Sequence, residues 1–207
     1  MNQREVWDEL GESWRNVRAK PWSEIAGMTE KLHGRVLDLG CGSGRNFFAS
    51  ENVELYGLDF SRNMLSFAER ESEKRNIPAT LIQGKCDELP FKDESFDVVL
   101  FIATLHCMKE KEREKSLEEV KRILKKEGYA LITVWNKKQP RFFFSKKEEY
   151  VPWKKKGEPY YRYYYLFTQR ELKALLRKHG FRVIKISGSS DKSYGFSKNI
   201  IAVAKKL

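Results

Sequence analysis

Arg35-Val36-Leu37-Asp38-Leu39-Gly40-Cys41-Gly42-Ser43-Gly44-Arg45-Asn46 is the stretch whose reading decides the fold. Its first half is a short, mostly apolar run suited to a strand buried on both faces, and its second half sets glycines at alternate positions, permitting a tight turn and close approach of backbone to a ligand. The spacing Gly40-x-Gly42-x-Gly44 is one residue short of the G-x-G-x-x-G that seats a dinucleotide pyrophosphate, so it indicates a nucleotide-like ligand other than NAD. The next strand, Val53 to Leu58, ends in Asp59, about 20 residues beyond the first glycine, where α/β nucleotide folds place a carboxylate on ribose hydroxyls.

Outward from this turn the chain alternates strands with helices. Val6, Trp7, Leu10, Trp14 and Val17 recur at helical intervals over 3–19 until Pro21 stops the pattern, and a second short helix is expected from Trp22 to Leu32, so residues 1–33 form an N-terminal helical segment outside the sheet. A helix is expected to open at about Gly44. Another, capped by Ser61, carries Met64, Leu65 and Ala68 on one face. Ala79–Gln83 and Phe96–Ile102 read as strands, Glu112–Lys125 as an amphipathic helix ended by Glu127-Gly128, and Tyr129–Trp135 as a fifth strand. A basic, aromatic insertion occupies 136–167, and the helix Gln169–Lys178 and strands Phe181–Ser187 and Asn199–Ala204 close the chain. Such alternation predicts right-handed crossovers and a mostly parallel, Rossmann-like α/β sheet with helices on both faces, in a single domain spanning 1–207.

No apolar run is long enough to span a bilayer and the first residues are polar, so a cytoplasmic protein is expected. Cys41, Cys86 and Cys107 read as free thiols, with no C-x-x-C pair to suggest a metal. The net charge of +11 is unevenly placed: residues 1–136 carry 21 Lys and Arg against 24 Asp and Glu, and residues 137–207 carry 19 against 5. Uniform solubilisation would not concentrate the excess in the last third, and a patch of that sign attracts nucleic acid. Between Phe142 and Phe167 there are eleven aromatic residues, and between Lys137 and Arg162 nine Lys and Arg, an interleaving suited to stacking unpaired bases while gripping phosphate. Tyr163 to Phe167 are expected to pack, and Lys137, Lys138, Lys146, Lys147 and Lys154 to Lys156 to face solvent and RNA.

The motif Val36 to Gly44 followed by Asp59 resembles the first two motifs of the class I S-adenosylmethionine-dependent methyltransferases. The resemblance implies a seven-stranded sheet ending in a reversed hairpin, with the cofactor bound by Asp38, Gly40, Cys41, Gly42, Gly44 and Asn46 on the turn. It further implies Asp59, Phe60, Ser61 and Met64 after strand two, Cys86, Asp87, Glu88 and Leu89 after strand three, and Ile102 at the end of strand four. Asp87 would accept from the adenine amino group.

A narrower resemblance covers nearly the whole chain. Trp14-Arg15-Asn16-Val17-Arg18-Ala19-Lys20-Pro21-Trp22, Ile102-Ala103-Thr104-Leu105-His106, Tyr150-Val151-Pro152-Trp153 and Tyr161-Arg162-Tyr163-Tyr164-Tyr165-Leu166-Phe167 are similar to elements of the tRNA wobble-uridine methyltransferases, which esterify 5-carboxymethyluridine. Carried over by position, Arg18, His106 and Trp135 match that family's substrate-site arginine, histidine and tryptophan, and Arg162 its R-Y-Y arginine, while Lys137, Lys138, Lys154 and Lys155 are the expected RNA-binding cations. Cys107 stands where the family has a second histidine, and Tyr165 where a histidine is common. The family also implies a heterodimer with a small zinc-binding activator protein on the edge strand Ala79–Gln83. A carboxylate acceptor is already ionised at neutral pH and needs no general base, only in-line placement and a cationic or donor group on its oxygens, which Arg18 and His106 would supply. A small-molecule methyltransferase and a non-catalytic RNA-binding protein on the same scaffold are the competing readings.

Overall fold

Val36, Leu37, Asp38 and Leu39 are all buried, as a strand with neighbours on both edges and layers on both faces requires. In the computed structural model, which describes residues 2–17, 21, 22, 27, 31–155, 157–190, 192, 193 and 196–207, this strand is β1 (Gly34–Leu39). It pairs in parallel with β2 (Val53–Asp59) and β4 (Phe96–Ile102). With β3 (Ala79–Gln83), β5 (Leu124–Trp135), β8 (Phe181–Gly188) and β11 (Asn199–Lys206), the sheet runs β3-β2-β1-β4-β5-β11-β8. β11 is antiparallel to both β5 and β8, which gives the expected reversed C-terminal strands, and the short antiparallel pair β9 (Lys192–Ser193) and β10 (Phe196–Ser197) lies between β8 and β11 in sequence. The order reverses between β1 and β4, and the carboxyl ends of these two strands therefore flank the crevice where open α/β sheets bind ligands.

Helices cover both faces. On one side α3 (Glu110–Ile123) buries Leu117, Val120 and Ile123, and α4 (Gln169–Lys178) buries Leu172 and Leu176, against Leu37, Leu39 and Phe101. Thr168 and Glu171 close a capping box at the start of α4. On the other side α2 (Arg62–Lys74) places Ala68 against Val36, Leu55 and Leu100, its N-terminus capped by the Ser61 hydroxyl, which accepts from the Met64 N–H at 3.1 Å. α1 (Gln3–Val17) lies across α2 and a hairpin formed by β6 (Glu148–Lys155) and β7 (Glu158–Tyr165). The expected Trp22–Leu32 helix falls largely outside the described residues.

Two boundaries correct the sequence reading. No helix opens at Gly44: Gly42 and Gly44 hold φ of +54° and +72°, Gly44 N–H bonds Cys41 O, and the Phe47 N–H bonds Gly44 O. Phe47, 1% exposed, drives its ring under the turn, and only eight residues remain before β2. The helix expected at Glu112–Lys125 also shifts, to Glu110–Ile123, with β5 following at once from Leu124 instead of Tyr129. Positive φ at Glu127 (+65°) and a register shift against β4 near Phe96 absorb the irregular start of that strand, where a helix end was read.

Candidate active site

Three neighbouring cavities share their walls above the carboxyl ends of β1 and β4. The largest, about 440 Å³, lies between Gly40, Phe60, Cys86, Asp87 and the α1 residues Gln3 and Trp7. A small one of about 90 Å³ over the glycine turn touches Cys41, Gly42, Asn46, Met64 and Ile102. The third, about 270 Å³, is walled by Trp14, Arg45, His106, Trp135, Arg141 and Tyr164. Trp7 borders all three, and Ala103 and Arg45 separate the second from the third.

Local backbone builds the first two. Gly40 needs its positive φ of +72° and the missing Cβ, because a methyl there would collide with Thr104, whose hydroxyl donates to the Gly40 and Ile102 carbonyls. A Cβ on Gly42 would meet nothing within 4 Å, so this glycine faces open space. Ala103 sits in the left-handed region at φ +53°, a conformation uncommon for non-glycine residues. Its N–H bonds to the Thr133 hydroxyl at 2.9 Å, fixing the bend that turns the chain from β4 across the crevice.

Two carboxylates lie beneath the turn. Asp59 accepts from the Gly42 N–H and the Ser61 N–H, each at 2.9 Å. Burial raises its pKa to about 6 against the pull of these bonds. Asp38 is 1% exposed, and among the described residues neither of its oxygens has a hydrogen-bond partner. Burial raises it to about 7, the Arg45 charge opposing and Asp59 adding. A buried carboxylate left without donors is costly unless a ligand completes it. S-adenosylmethionine fits these residues in chemistry: its ammonium would answer Asp38, Gly42 would leave room for the methionyl chain, and Asp59, already aligned by two backbone N–H groups, would take the ribose. The cavity beside Phe60, Cys86 and Asp87 would take the adenine. Glu88 is exposed, and Leu89 is buried with its N–H on Glu119 at 2.7 Å. Gly44 and Ser61 shape the turn and the start of α2.

The third cavity is a stack of rings. Trp135 and Tyr164 stack nearly parallel at 4.0 Å between centroids, and His106 stacks at 5.5 Å from Trp135 and 5.4 Å from Tyr164. The Trp135 backbone N–H donates to His106 Nδ1 at 3.3 Å. Burial lowers the His106 pKa to about 3, a hydrogen bond with the Thr133 backbone opposing and the Arg162 charge adding. This ring is therefore neutral at ordinary pH, and the cationic option raised for it in the sequence reading falls away.

Arg162 is 3% exposed and binds the Tyr164 hydroxyl at 2.7 Å, with its guanidinium 5.1 Å from the Trp14 ring and 4.9 Å from that of Trp153. Arg18 and Lys156 lie outside the described residues. Lys138, Lys146 and Lys154 are exposed as expected, and Tyr163, Tyr164, Leu166 and Phe167 are buried. Lys137 departs from that reading: it is half-buried, its ammonium bonding the Phe142 and Phe143 carbonyls. Lys155 is also half-buried, on the Glu9 carbonyl and carboxylate, and Lys147, though exposed, is paired with Glu171.

The sequence reading did not include Trp7, Arg45, Thr104, Arg141, Tyr164 or Lys198 among the site residues. Trp7 and Trp14 stand a heptad apart on a polar helix, a signal that was present. Arg45 adjoins the glycine turn. Lys198 reaches the third cavity from a loop distant in sequence, and nothing local marks it.

A methyltransferase domain model matches residues 37–132. The chain is 30% identical over 189 residues to a putative methyltransferase of Encephalitozoon cuniculi, with 86% of each chain covered. Its fold is that of a solved S-adenosylmethionine-dependent methyltransferase from Methanosarcina mazei, with a TM-score of 0.73 at 21% identity over 91% of this chain and 99% of that one. The protein belongs to the class I S-adenosylmethionine-dependent methyltransferases. It is similar to the tRNA (carboxymethyluridine(34)-5-O)-methyltransferase of Schizosaccharomyces pombe, 28% identical over 209 residues that cover 87% of this chain and 89% of the other. It spans 32% of the probable tRNA methyltransferase 9B of Homo sapiens, to which it is 27% identical over 153 residues. No helix among the described residues is long and apolar enough to cross a membrane.

Proposed function

We propose that this enzyme methylates the carboxylate of 5-carboxymethyluridine at the wobble position of a tRNA anticodon. The observation that carries the reading is the third cavity, which adjoins the donor space, is framed by the Trp135 and Tyr164 planes, and is rimmed by Arg45, Arg141 and Lys198 with no acidic side chain among its described residues. Planar rings suit a uracil, and cations suit an acid. S-adenosylmethionine, when bound, supplies a methyl carbon on a sulfonium. An acceptor carboxylate with a pKa of roughly 4 would already be the anion that such a donor requires, so no residue of this chain would have to remove a proton. His106, with a pKa of about 3, is too weak a base to activate an amine or phenol. Arg45, Arg141 and Lys198 hold the acceptor oxygens, Trp135 and Tyr164 orient the base, and α1 keeps water out. Arg18 stays assigned to the same carboxylate.

The reading includes tRNA as substrate and the small zinc-binding activator as partner. β3 is an edge strand without a single charged residue, whereas the opposite edge, β8, carries Arg182 and Lys185. An uncharged open edge invites a strand from another chain. Incubation with labelled S-adenosylmethionine and total tRNA, with and without the activator, followed by nucleoside analysis, tests the assignment. Label is expected in an esterified wobble uridine. Its absence from every uridine derivative sinks the reading, and label in a metabolite substitutes a small-molecule acceptor.

A further inference from the structure

We propose that Gln139 and Asn199 select the acceptor base by its edge, Gln139 Oε1 accepting the N3–H of a uracil and the Asn199 amide donating to the ring carbonyl beside it. This rests on the reading above and supplies what rings and cations leave open, the choice of uracil over cytosine. Both residues line the third cavity, and both are more than nine-tenths buried, Gln139 at 6% and Asn199 at 7% exposure.

Gln139 is locked in one sense. Its Nε2 donates to the Asn136 carbonyl at 3.1 Å and to the Lys198 carbonyl at 2.6 Å, so both amide hydrogens are spent. Reversing the amide would set its oxygen against two carbonyl oxygens, and the network therefore assigns Oε1 to the remaining side. That oxygen accepts from none of the described residues and, unlike the Asp38 oxygens, is not sealed off within the protein. A nearly buried acceptor of fixed sense demands a donor from whatever fills the cavity.

Asn199 stands beside the same anchor, one residue after Lys198. It opens β11 opposite Trp135, the last residue of β5. Its backbone N–H donates to the Ser189 hydroxyl at 3.2 Å and its carbonyl accepts from the Ser189 N–H at 2.9 Å. With its main chain turned to Ser189, Asn199 forms a non-hydrogen-bonded pair with Trp135, the kind in which side chains sit closest on one face. Its side-chain amide has no hydrogen bond among the described residues. Asn136, the other amide of this corner, is by contrast spent, donating to the Ser197 carbonyl at 2.9 Å and accepting from the Lys138 N–H at 3.0 Å.

The two pyrimidines differ along this edge. Uracil offers a donor at N3 between two carbonyls, whereas cytosine offers a lone pair at N3 beside an amino group. Facing Gln139 Oε1, the uracil N3–H closes a hydrogen bond, and the cytosine N3 sets lone pair against lone pair and leaves a buried acceptor unpaired.

The test uses the full chain and two anticodon stem-loop RNAs that differ only in carrying unmodified uridine or cytidine at the acceptor position, with affinity read by fluorescence anisotropy so that no methyl transfer is required. The parent is expected to prefer uridine by about tenfold to a hundredfold, as for one base edge read by hydrogen bonds. Gln139→Leu is expected to remove most of that preference, with cofactor affinity unchanged. Asn199→Asp leaves the Gln139 ties in place and offers an acceptor where cytosine carries its amino group, so it is expected to move the ratio about tenfold towards cytidine. A residue that only shapes the loop would weaken both RNAs alike, so a ratio equal to the parent's in either variant overturns the assignment. So does a parent that binds both RNAs equally, and if Gln139→Leu does not fold, Asn199→Asp decides. A parent chain that binds neither stem-loop defeats both proposals, whereas uridine preference without label in any uridine derivative of total tRNA defeats the acceptor assignment alone.

Discussion

Gly40 and Gly42 separate stability from binding within one turn. Both have positive φ, but Gly40 is pressed against Thr104 and Gly42 faces a cavity. Gly40→Ala adds overpacking to a left-handed alanine and is expected to cost about 3 kcal/mol or more. Gly42→Ala is expected to cost about 1–2 kcal/mol yet weaken S-adenosylmethionine at least tenfold, because its methyl group occupies the ligand's space. Chemical denaturation and calorimetric titration of both variants check the split. Asp38 adds a pH signature. With its pKa at about 7 it is largely protonated below neutrality, and only the carboxylate answers an ammonium, so cofactor affinity is expected to rise up to tenfold per unit from pH 5.5 towards 7. Asp38→Asn should bind weakly and without that slope. Stability moves the opposite way, since native Asp38 keeps a proton that the unfolded chain releases above its ordinary 3.8. Its contribution falls as pH rises from about 4 to 7, while His106, neutral when folded and protonated when unfolded below 6.5, contributes stability that is lost as pH falls towards 3. The two oppose one another from about pH 4 to 6.5, and in Asp38→Asn the melting temperature should climb more steeply across that window than in the parent.

At the scale of elements, α1 and the β6–β7 hairpin act as one roof. The Gln3 side chain donates to the Tyr161 carbonyl at 3.1 Å and accepts from the Tyr163 N–H at 2.9 Å, while the Trp153 indole donates to the Ser13 hydroxyl at 3.1 Å. Gln3→Ala removes two of these ties and is expected to cost about 1–2 kcal/mol, with faster amide exchange along β7 and weaker cofactor binding as its readouts. The sheet strands were legible because each is a short apolar run ended by glycine, proline or an acid, and burial on two faces leaves such runs few alternatives. The false helix at Gly44 came from the pattern in which a helix follows such a glycine turn, whereas Gly44, Asn46, Phe47, Phe48, Ser50 and Asn52 are weak helix formers and Phe47 is drawn into the core. The hairpin was legible as aromatic and basic but not as two strands, since Tyr160 to Tyr165 pack on α1, with 160 positions separating Gln3 from Tyr163 in sequence. The glycine turn and Asp59 could be placed from spacing alone. The third cavity could not, being gathered from α1, the segment after β4, β5, β7 and the loop before β11.

For the molecule as a whole, the charge asymmetry sets the association behaviour. The basic last third carries Arg141 and Lys198 on the cavity rim and the exposed Lys138 and Lys146, and stem-loop affinity should fall linearly in log–log terms with added salt, at about 0.7 per phosphate neutralised on a single strand. Lys138→Ala and Lys146→Ala should each lower that slope without changing base preference. Sequence disclosed the sign of this surface but not that Lys137, Lys147 and Lys155 are already spoken for by carbonyls and carboxylates. One arrangement offers a practical dividend. Trp7, Trp14, Trp22 and Trp135 border the third cavity and Trp153 leans on Trp14, so every indole in the chain reports from a single neighbourhood. Ultraviolet emission from the unlabelled protein is consequently a gauge of that neighbourhood with no background from elsewhere, and donor and acceptor arrival can each be timed on it directly.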